Sequence, residues 1–263
     1  MQAVDFHAHA FPDDIAPRAM SQIQGLSGIR STLDGTVARL LSSMDAAGIG
    51  KSVVLSIATK PSQFDSILSW SRSIASDRIV PFLSVHPSDP RAAEKVRITR
   101  EEGFLGMKFH PYYQDFTLDS EEMNPVFEAL EKSGLICVSH TGFDYAYPFI
   151  RMADPPKIVK IIRRFPGLRF VATHLGAWKD WDLAVELLAP ERVYVDIAYS
   201  LEFLPPEKAK SLILGYPSNR LLFGTDSPWA DQAAALRLLS GLGLPEDTVR
   251  AMVSENAAGL LGE

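Results

Sequence analysis

The sequence predicts a (β/α)8 barrel built as a single domain over residues 1–263. Three observations predict it. Short apolar runs alternate with amphipathic segments from end to end, and eight such runs can be counted. Each run is rich in branched or aromatic residues and is bounded by turn residues, as a buried parallel strand should be. No Pro/Gly-rich linker, charge block or low-complexity stretch interrupts the alternation, and a closed barrel of this kind commonly takes about 250 residues. An open doubly wound sheet is the alternative; it is weaker because no Gly-rich dinucleotide loop follows the first run.

In order, the runs are AVDFHAH (3–9), SVVLSIA (52–58), IVPFLSVH (79–86), FLGMKFH (104–110), LICVSH (135–140), LRFVATH (168–174), VYVDIAY (193–199) and RLLFGTD (220–226). Between them, TVARLLSSMDAAG places Val37, Leu40, Leu41 and Met44 at helical spacing and stops at Gly48. NPVFEALEKSG reads as a helix with Asn124 as N-cap, Pro125 at the first helical position and Gly134 as the stop. DPPKIVKIIRRFPG opens on Asp154 and Pro155 and ends at Pro166-Gly167. PEKAKSLIL, DQAAALRLLSG and PEDTVRAMVSENAAGLLG complete the helical set. Residues 10–35 form the longest connection, read either as a lid over the strand ends or as a contact with a second copy of the chain.

Bulk properties exclude several function classes. The net charge is −6 and no basic stripe stands out, which argues against a nucleic-acid partner. No uncharged apolar stretch reaches membrane-spanning length. The first residues lack the basic and apolar regions of a signal peptide, so a cytoplasmic protein is expected. The single cysteine, Cys137, lies in an apolar run and reads as core.

The histidines carry the functional signal. His7 and His9 close the first run, and His86, His110, His140 and His174 close the third, fourth, fifth and sixth; Asp226 closes the eighth. In a barrel the C-terminal strand ends share one face, and active sites are built there. A metal explains the concentration, because imidazole and carboxylate are the usual ligands of zinc and related ions. The His-x-His spacing suits a strand: alternate residues share a face, so Asp5, His7 and His9 point inward together.

DFHAH, GMKFHPYYQ, VSHTG, ATHLG and LLFGTDSPW together resemble the amidohydrolase superfamily, and most closely its amidohydrolase-2 branch of metal-dependent barrel hydrolases and decarboxylases. The closing SENAAGLLG resembles the terminal helix of that group, so the likeness runs over essentially the whole chain. It implies His7, His9, His140 and Asp226 as metal ligands. Asp226 would also contact the attacking water. His174 would bind a second ion or serve as acid, base or substrate contact. Zinc is the expected ion, one or two per chain.

Lys108 has two readings under the resemblance: a carboxylated bridge between two ions, or an unmodified cation that holds an anionic substrate group. The second is preferred, and a lysine merely reaching to the rim is the bland alternative. His110, on the same strand face, is a substrate-binding candidate. His86 is either a rim residue set by a turn or a substrate contact. Asp196 is either an outer partner of the site or paired within the barrel. Trp178 and Trp229 could wall a pocket, while Trp181 reads as helix-face packing. Arg151 and Lys179 are further candidates for a substrate carboxylate.

The expected function is hydrolysis of an amide, ester or lactone bond in a small carboxylate-bearing molecule, with Asp226 and His174 catalytic. The expected partner is that substrate, with a homo-oligomer left open; nucleic acid and membrane are not expected. A lyase, decarboxylase or hydratase, on the same metal site is the alternative. A phosphoesterase of the TatD type and a non-catalytic metal-binding protein rank below it.

Overall fold

The structure, a computed structural model, describes residues 2–147 and 149–263. The strands are β1 (Ala3–Ala8), β2 (Ile49–Leu55), β3 (Ile79–Phe82), β4 (Gly106–Phe109), β5 (Ile136–Ser139), β6 (Arg169–Ala172), β7 (Tyr194–Asp196) and β8 (Leu221–Leu222). The α-helices are α1 (Ala16–Ser27), α2 (Val37–Ala47), α3 (Phe64–Ile74), α4 (Ala92–Glu101), α5 (Asn124–Ser133), α6 (Pro155–Arg164), α7 (Trp181–Leu188), α8 (Pro206–Leu214), α9 (Gln232–Gly241), α10 (Glu246–Arg250) and α11 (Asn256–Leu261). The alternation expected from the sequence is present, with strands shorter than the apolar runs that contain them.

The chain packs as two compact units. One holds the residues up to Val54, Ile74–Val80 and Asp196–Glu263; the other holds Leu55–Ser73 and Pro81–Val195. In the first unit β1 pairs in parallel with β2, Ala3 opposite Ile49 and Ala8 opposite Val54, with a break in register between Asp5 and Ala8. On its other edge β1 meets the β8 segment: Phe6 N donates to Phe223 O at 2.8 Å and Asp226 N to His7 O at 2.7 Å. Ile197 N, at the end of β7, donates to Leu222 O. The core here is Phe6, Leu40, Met44, Val53, Phe223, Leu239 and Met252, all buried.

A buried carboxylate fastens the β1–β8 seam. Asp5 accepts Thr225 N and Thr225 Oγ1 at 3.0 and 2.6 Å, Gln232 Nε2 at 2.7 Å, and His7 N at 3.1 Å. Burial pushes its carboxyl up to about 6, against the hydrogen bonds from Gln232, Thr225 and His7. Gly224 belongs to the same seam. A Cβ there would lie 2.8 Å from His7 Cβ, so only glycine lets the two strands approach.

In the second unit Leu83 bridges to Met107, and β4, β5, β6 and β7 pair successively in parallel, with Lys108 opposite Val138 and Ala172 opposite Val195. Helix α4 packs on α5 and α6 on α7. Phe82, Phe109, Phe127, Cys137 and Phe170 are fully buried. Burial pushes the Cys137 thiol up, as befits the core residue expected from the sequence.

The helix ends show why these segments stop where they do. Gly48 and Gly134 follow α2 and α5 in the left-handed region, φ 69° and 64°, where glycine carries no Cβ penalty. Thr36 Oγ1 accepts Arg39 N at the start of α2. Asp154 is the residue before α6 and Pro155 its first, as read from the sequence. At α5 the start shifts by one: Met123 precedes the helix, Asn124 is its first residue and Pro125 its second. The connection 10–35 is not all loop. It contains α1, with Pro17 in its first turn and Gly28 (φ 71°) after its last. Among the described residues no helix is long and apolar enough to cross a membrane.

Candidate metal centre and its surroundings

In the first unit, β1 and the segment after β8 deliver three donor groups to one place. His7 lies inside β1, where the register breaks, and His9 follows its last residue; irregular strand pairing often re-aims side chains beside functional sites. Asp226 is four residues beyond β8 and takes the left-handed backbone, φ 66°. A non-glycine residue there is strained, and such strain concentrates at functional sites. The main-chain bond from Asp226 N to His7 O holds that conformation.

The three groups form a nearly equilateral triangle. His7 Nε2 to His9 Nε2 is 3.2 Å, His7 Nε2 to Asp226 Oδ1 is 3.3 Å, and His9 Nε2 to Asp226 Oδ1 is 3.2 Å. A tetrahedral ion with ligand bonds of about 2.0–2.1 Å spaces its ligands about 3.3–3.4 Å apart. The two imidazole planes are inclined by 71°, so their nitrogen lone pairs can converge on a common point. His7, His9 and Asp226 therefore fit a zinc-type ion in donor type and spacing. Burial raises the Asp226 carboxyl, but the charge and hydrogen bonds of His7 and His9, where these are protonated, outweigh it and hold the group well below the usual carboxylate range.

The second unit gathers the other predicted residues. His110 and His140 each follow directly on a strand, β4 and β5, and His174 lies two residues beyond β6. His174 and Leu175 both adopt positive φ, 59° and 56°. The indole Nε1 of Trp181, the first residue of α7, donates to His174 O at 3.1 Å and supports this turn. Trp181 is thus more than helix-face packing. His174 Nε2 lies 3.0 Å from His140 Nδ1, and His140 Nε2 lies 3.0 Å from Phe143 O. A carbonyl can only accept, so a proton on His140 Nε2 would bond there, and an ion ligated by His140 would replace one of these two contacts.

His110, His140 and Asp144 are a second set of three possible cation ligands. Their geometry is less suited to an ion. The Asp144 Oδ2 contacts are 3.7 Å to His110 and 3.9 Å to His140, and the two rings stack at 4.2 Å with planes only 18° apart. Nearly parallel rings aim their lone pairs side by side rather than at one point.

Lys108 is 1% exposed on β4, which removes the rim reading. Its neighbour Ser84 donates to Lys108 O, and the Lys108 charge reaches Cys137. Arg151 is engaged otherwise than expected. Its two terminal nitrogens meet the two oxygens of Asp180 at 2.5 and 3.0 Å, and its guanidinium lies over the Phe143 ring. It ties the loop after β5 to the loop after β6. Lys179 stacks over Tyr145 at 5.4 Å. His86 Nδ1 accepts from Ser88, a turn contact.

Sequence reading passed over three residues of these surroundings. Asp144 sits in the loop after β5. Gln114, 1% exposed, accepts His110 N at 2.8 Å and donates to Ala58 O and Val85 O, fixing the turn that carries His110. The Tyr112 hydroxyl lies 2.6 Å from Gly142 O and 2.7 Å from Ile150 O and straps the loop after β5; burial pushes it up to about 12. Only their positions close behind His140 and His110 could have drawn attention to them.

The amidohydrolase family profile matches residues 4–262. Among curated proteins none matches this sequence. Several solved structures share the fold. An uncharacterised TIM-barrel protein, Bb4693 from Bordetella bronchiseptica, is 18% identical with a TM-score of 0.80, over 100% of this chain and 99% of that one. The 5-carboxyvanillate decarboxylase LigW2 from Novosphingobium aromaticivorans, solved with bound manganese, is 15% identical with a TM-score of 0.72, over 100% and 97%. A candidate 2-pyrone-4,6-dicarboxylic acid hydrolase from Pseudomonas putida is 16% identical with a TM-score of 0.69, over 99% and 97%. At these identities the likeness is one of fold, and the fold is the (β/α)8 barrel read from the sequence. With a family match over nearly its whole length and a donor set suited to a divalent ion, the chain belongs to the amidohydrolase superfamily, in its amidohydrolase-2 branch.

Proposed function

We propose that the protein is a metal-dependent hydrolase that cleaves an amide, ester or lactone bond in a small carboxylate-bearing molecule. The observation that carries this reading is the triangle of His7, His9 and Asp226, with sides of 3.2–3.3 Å. A zinc-type ion held there supplies Lewis acidity and brings the pKa of water toward neutrality. His140 is the proposed fourth ligand, on the strength of its match to the family motif. Asp226 turns Oδ1 to both imidazoles, which leaves Oδ2 to take the proton of the attacking water. His174 serves as acid or as a contact to the scissile carbonyl. Lys108, enclosed at 1% exposure, pairs with the substrate carboxylate. The partner is a small molecule, and neither nucleic acid nor membrane takes part.

For Lys108 the expected result is specific. Lys108→Met should leave the metal content intact and raise KM for an anionic substrate by about tenfold or more, as loss of a charged hydrogen bond does. A variant that loses metal, and whose wild type needs bicarbonate to reconstitute, would point to a carboxylated bridge instead.

A lyase is the second reading, and one feature favours it. Tyr113 packs 4.4 Å from His110, Tyr112 lies 5.7 Å from His140, and Tyr147 contacts both tyrosines. Such rings suit a planar aromatic acid. The two readings separate in one assay on the metal-loaded protein. Lactones, esters and amides of small carboxylic acids are followed for acid release, and aromatic and dienoic carboxylates for CO2. Acid release without CO2 supports the hydrolase. CO2 with no hydrolysis replaces it with a decarboxylase.

A further inference from the structure

We infer that Asp196 is a positioning residue that sets the tautomer of His7, so that Nδ1 carries the proton and Nε2 is left as the bare nitrogen that faces His9 and Asp226. The inference rests on the proposed ligand role of His7 and adds the group that prepares it. Asp196 is the last residue of β7, fully buried, and its Oδ2 lies 2.9 Å from His7 Nδ1, a ring that is itself 1% exposed. Its other oxygen is committed as well: Oδ1 accepts Ala198 N at 3.0 Å. The carboxyl group is therefore fixed in rotation by the main chain and offers one oxygen to one imidazole nitrogen.

The consequence follows from the chemistry of imidazole. A neutral ring carries one proton, and the nitrogen without it is the acceptor or ligand. A buried carboxylate at Nδ1 accepts a hydrogen bond from that nitrogen and so draws the proton there. His7 Nε2 then presents its lone pair toward the triangle. Without Asp196 the ring could take the other tautomer and place a proton at Nε2, 3.2 Å from His9 Nε2 and 3.3 Å from Asp226 Oδ1. That proton would hydrogen-bond to Asp226 and block the position a metal needs. His7 is oriented at two further points that do not select a tautomer: its N donates to Asp5 and its O accepts Asp226 N. Asp196 acts on the ring nitrogen remote from the triangle.

The first test needs neither metal nor substrate. Metal-free wild-type protein labelled with 15N-histidine is examined at pH 8 or above, with the His7 signals identified by their loss in His7→Gln. The expected spectrum shows His7 protonated at Nδ1 and bare at Nε2; a proton at Nε2 in the wild type overturns the inference. The second test is Asp196→Asn, which keeps the shape and the bond from Ala198 N but removes the charge. Its affinity for Zn2+, measured by competition with a chromogenic chelator, should fall about 10–100-fold, the usual effect of losing such an outer partner. Unchanged affinity in a folded variant also overturns it. Should the variant fail to fold, the wild-type spectrum still decides. A wild type with the expected tautomer that binds no Zn2+ would sink the proposed function and leave the tautomer assignment standing.

Discussion

Asp226→Asn should lower kcat by about 10²–10⁴-fold, the range for removing a positioned acid–base group, while the protein stays folded. Both halves of the expectation follow from the structure. The substitution keeps an oxygen for the triangle but cannot accept a proton from water. The backbone at this position has φ 66°, and asparagine tolerates the left-handed region better than almost any other non-glycine residue. The main-chain bonds from Asp226 N to His7 O and from Trp229 N to Asp226 O are untouched by the change. Turnover of the best substrate from the hydrolysis and CO2 panels, together with the thermal midpoint, checks it. Near-normal turnover would take the proton-transfer role from Asp226 and pass it to His174. Global unfolding would show that the aspartate is chiefly structural.

The largest expected effect on stability comes from Gly142→Ala. Gly142 has φ 85°, in the left-handed region, and a Cβ there would overlap main-chain atoms of Ala177 and Trp178. Backbone cannot rotate away as a flexible side chain can. The loop after β5 and the loop after β6 are joined at this point: Trp178 N donates to Thr141 O at 2.9 Å and Phe143 N to Trp178 O at 3.0 Å. Forcing them apart adds overpacking to backbone strain, each about 1–3 kcal/mol, for a loss of about 2–6 kcal/mol. Gly134→Ala is the control. Gly134 has φ 64° but no atom within 4 Å of the added Cβ, so it should lose only the backbone preference, about 1–2 kcal/mol. Denaturant midpoints of the two variants give the comparison. Because His140 and His174 flank the joined loops, Gly142→Ala should also depress turnover, and Gly134→Ala should not.

Much of the candidate centre could be read from the sequence because the placing of its donor groups is written in strand periodicity. His7 and His9 are two apart on one strand, and Asp226 ends the last apolar run; the three meet as that pattern implies. The helix stops at Gly48 and Gly134 were legible for a similar local reason, the need for a left-handed residue. What was not legible depends on contacts distant along the chain. Asp5 alternates with His7 and so reads as another inward-facing residue, but its role is set by Thr225 and Gln232, which enclose it and make it the fastening of β1 to β8. Arg151 reads as a free cation for substrate until Asp180 is found against it. Helix α1 was hidden because no side chain caps its first turn and its apolar residues are sparse. The strands are shorter than the apolar runs because the runs continue past the hydrogen-bonded ladder into the turns that carry His110, His140, His174 and Asp226.

The central claim is that His7 and His9, with Asp226, hold a divalent ion. The most direct test is elemental analysis after loading with zinc and exhaustive dialysis, made on the wild type and on the His7→Ala/His9→Ala double variant, with circular dichroism to establish that both are folded. The wild type should retain about one zinc per chain or more, and the folded double variant should fall to background. Equal retention by both proteins, or no retention by the wild type with zinc, manganese or nickel, would contradict the account.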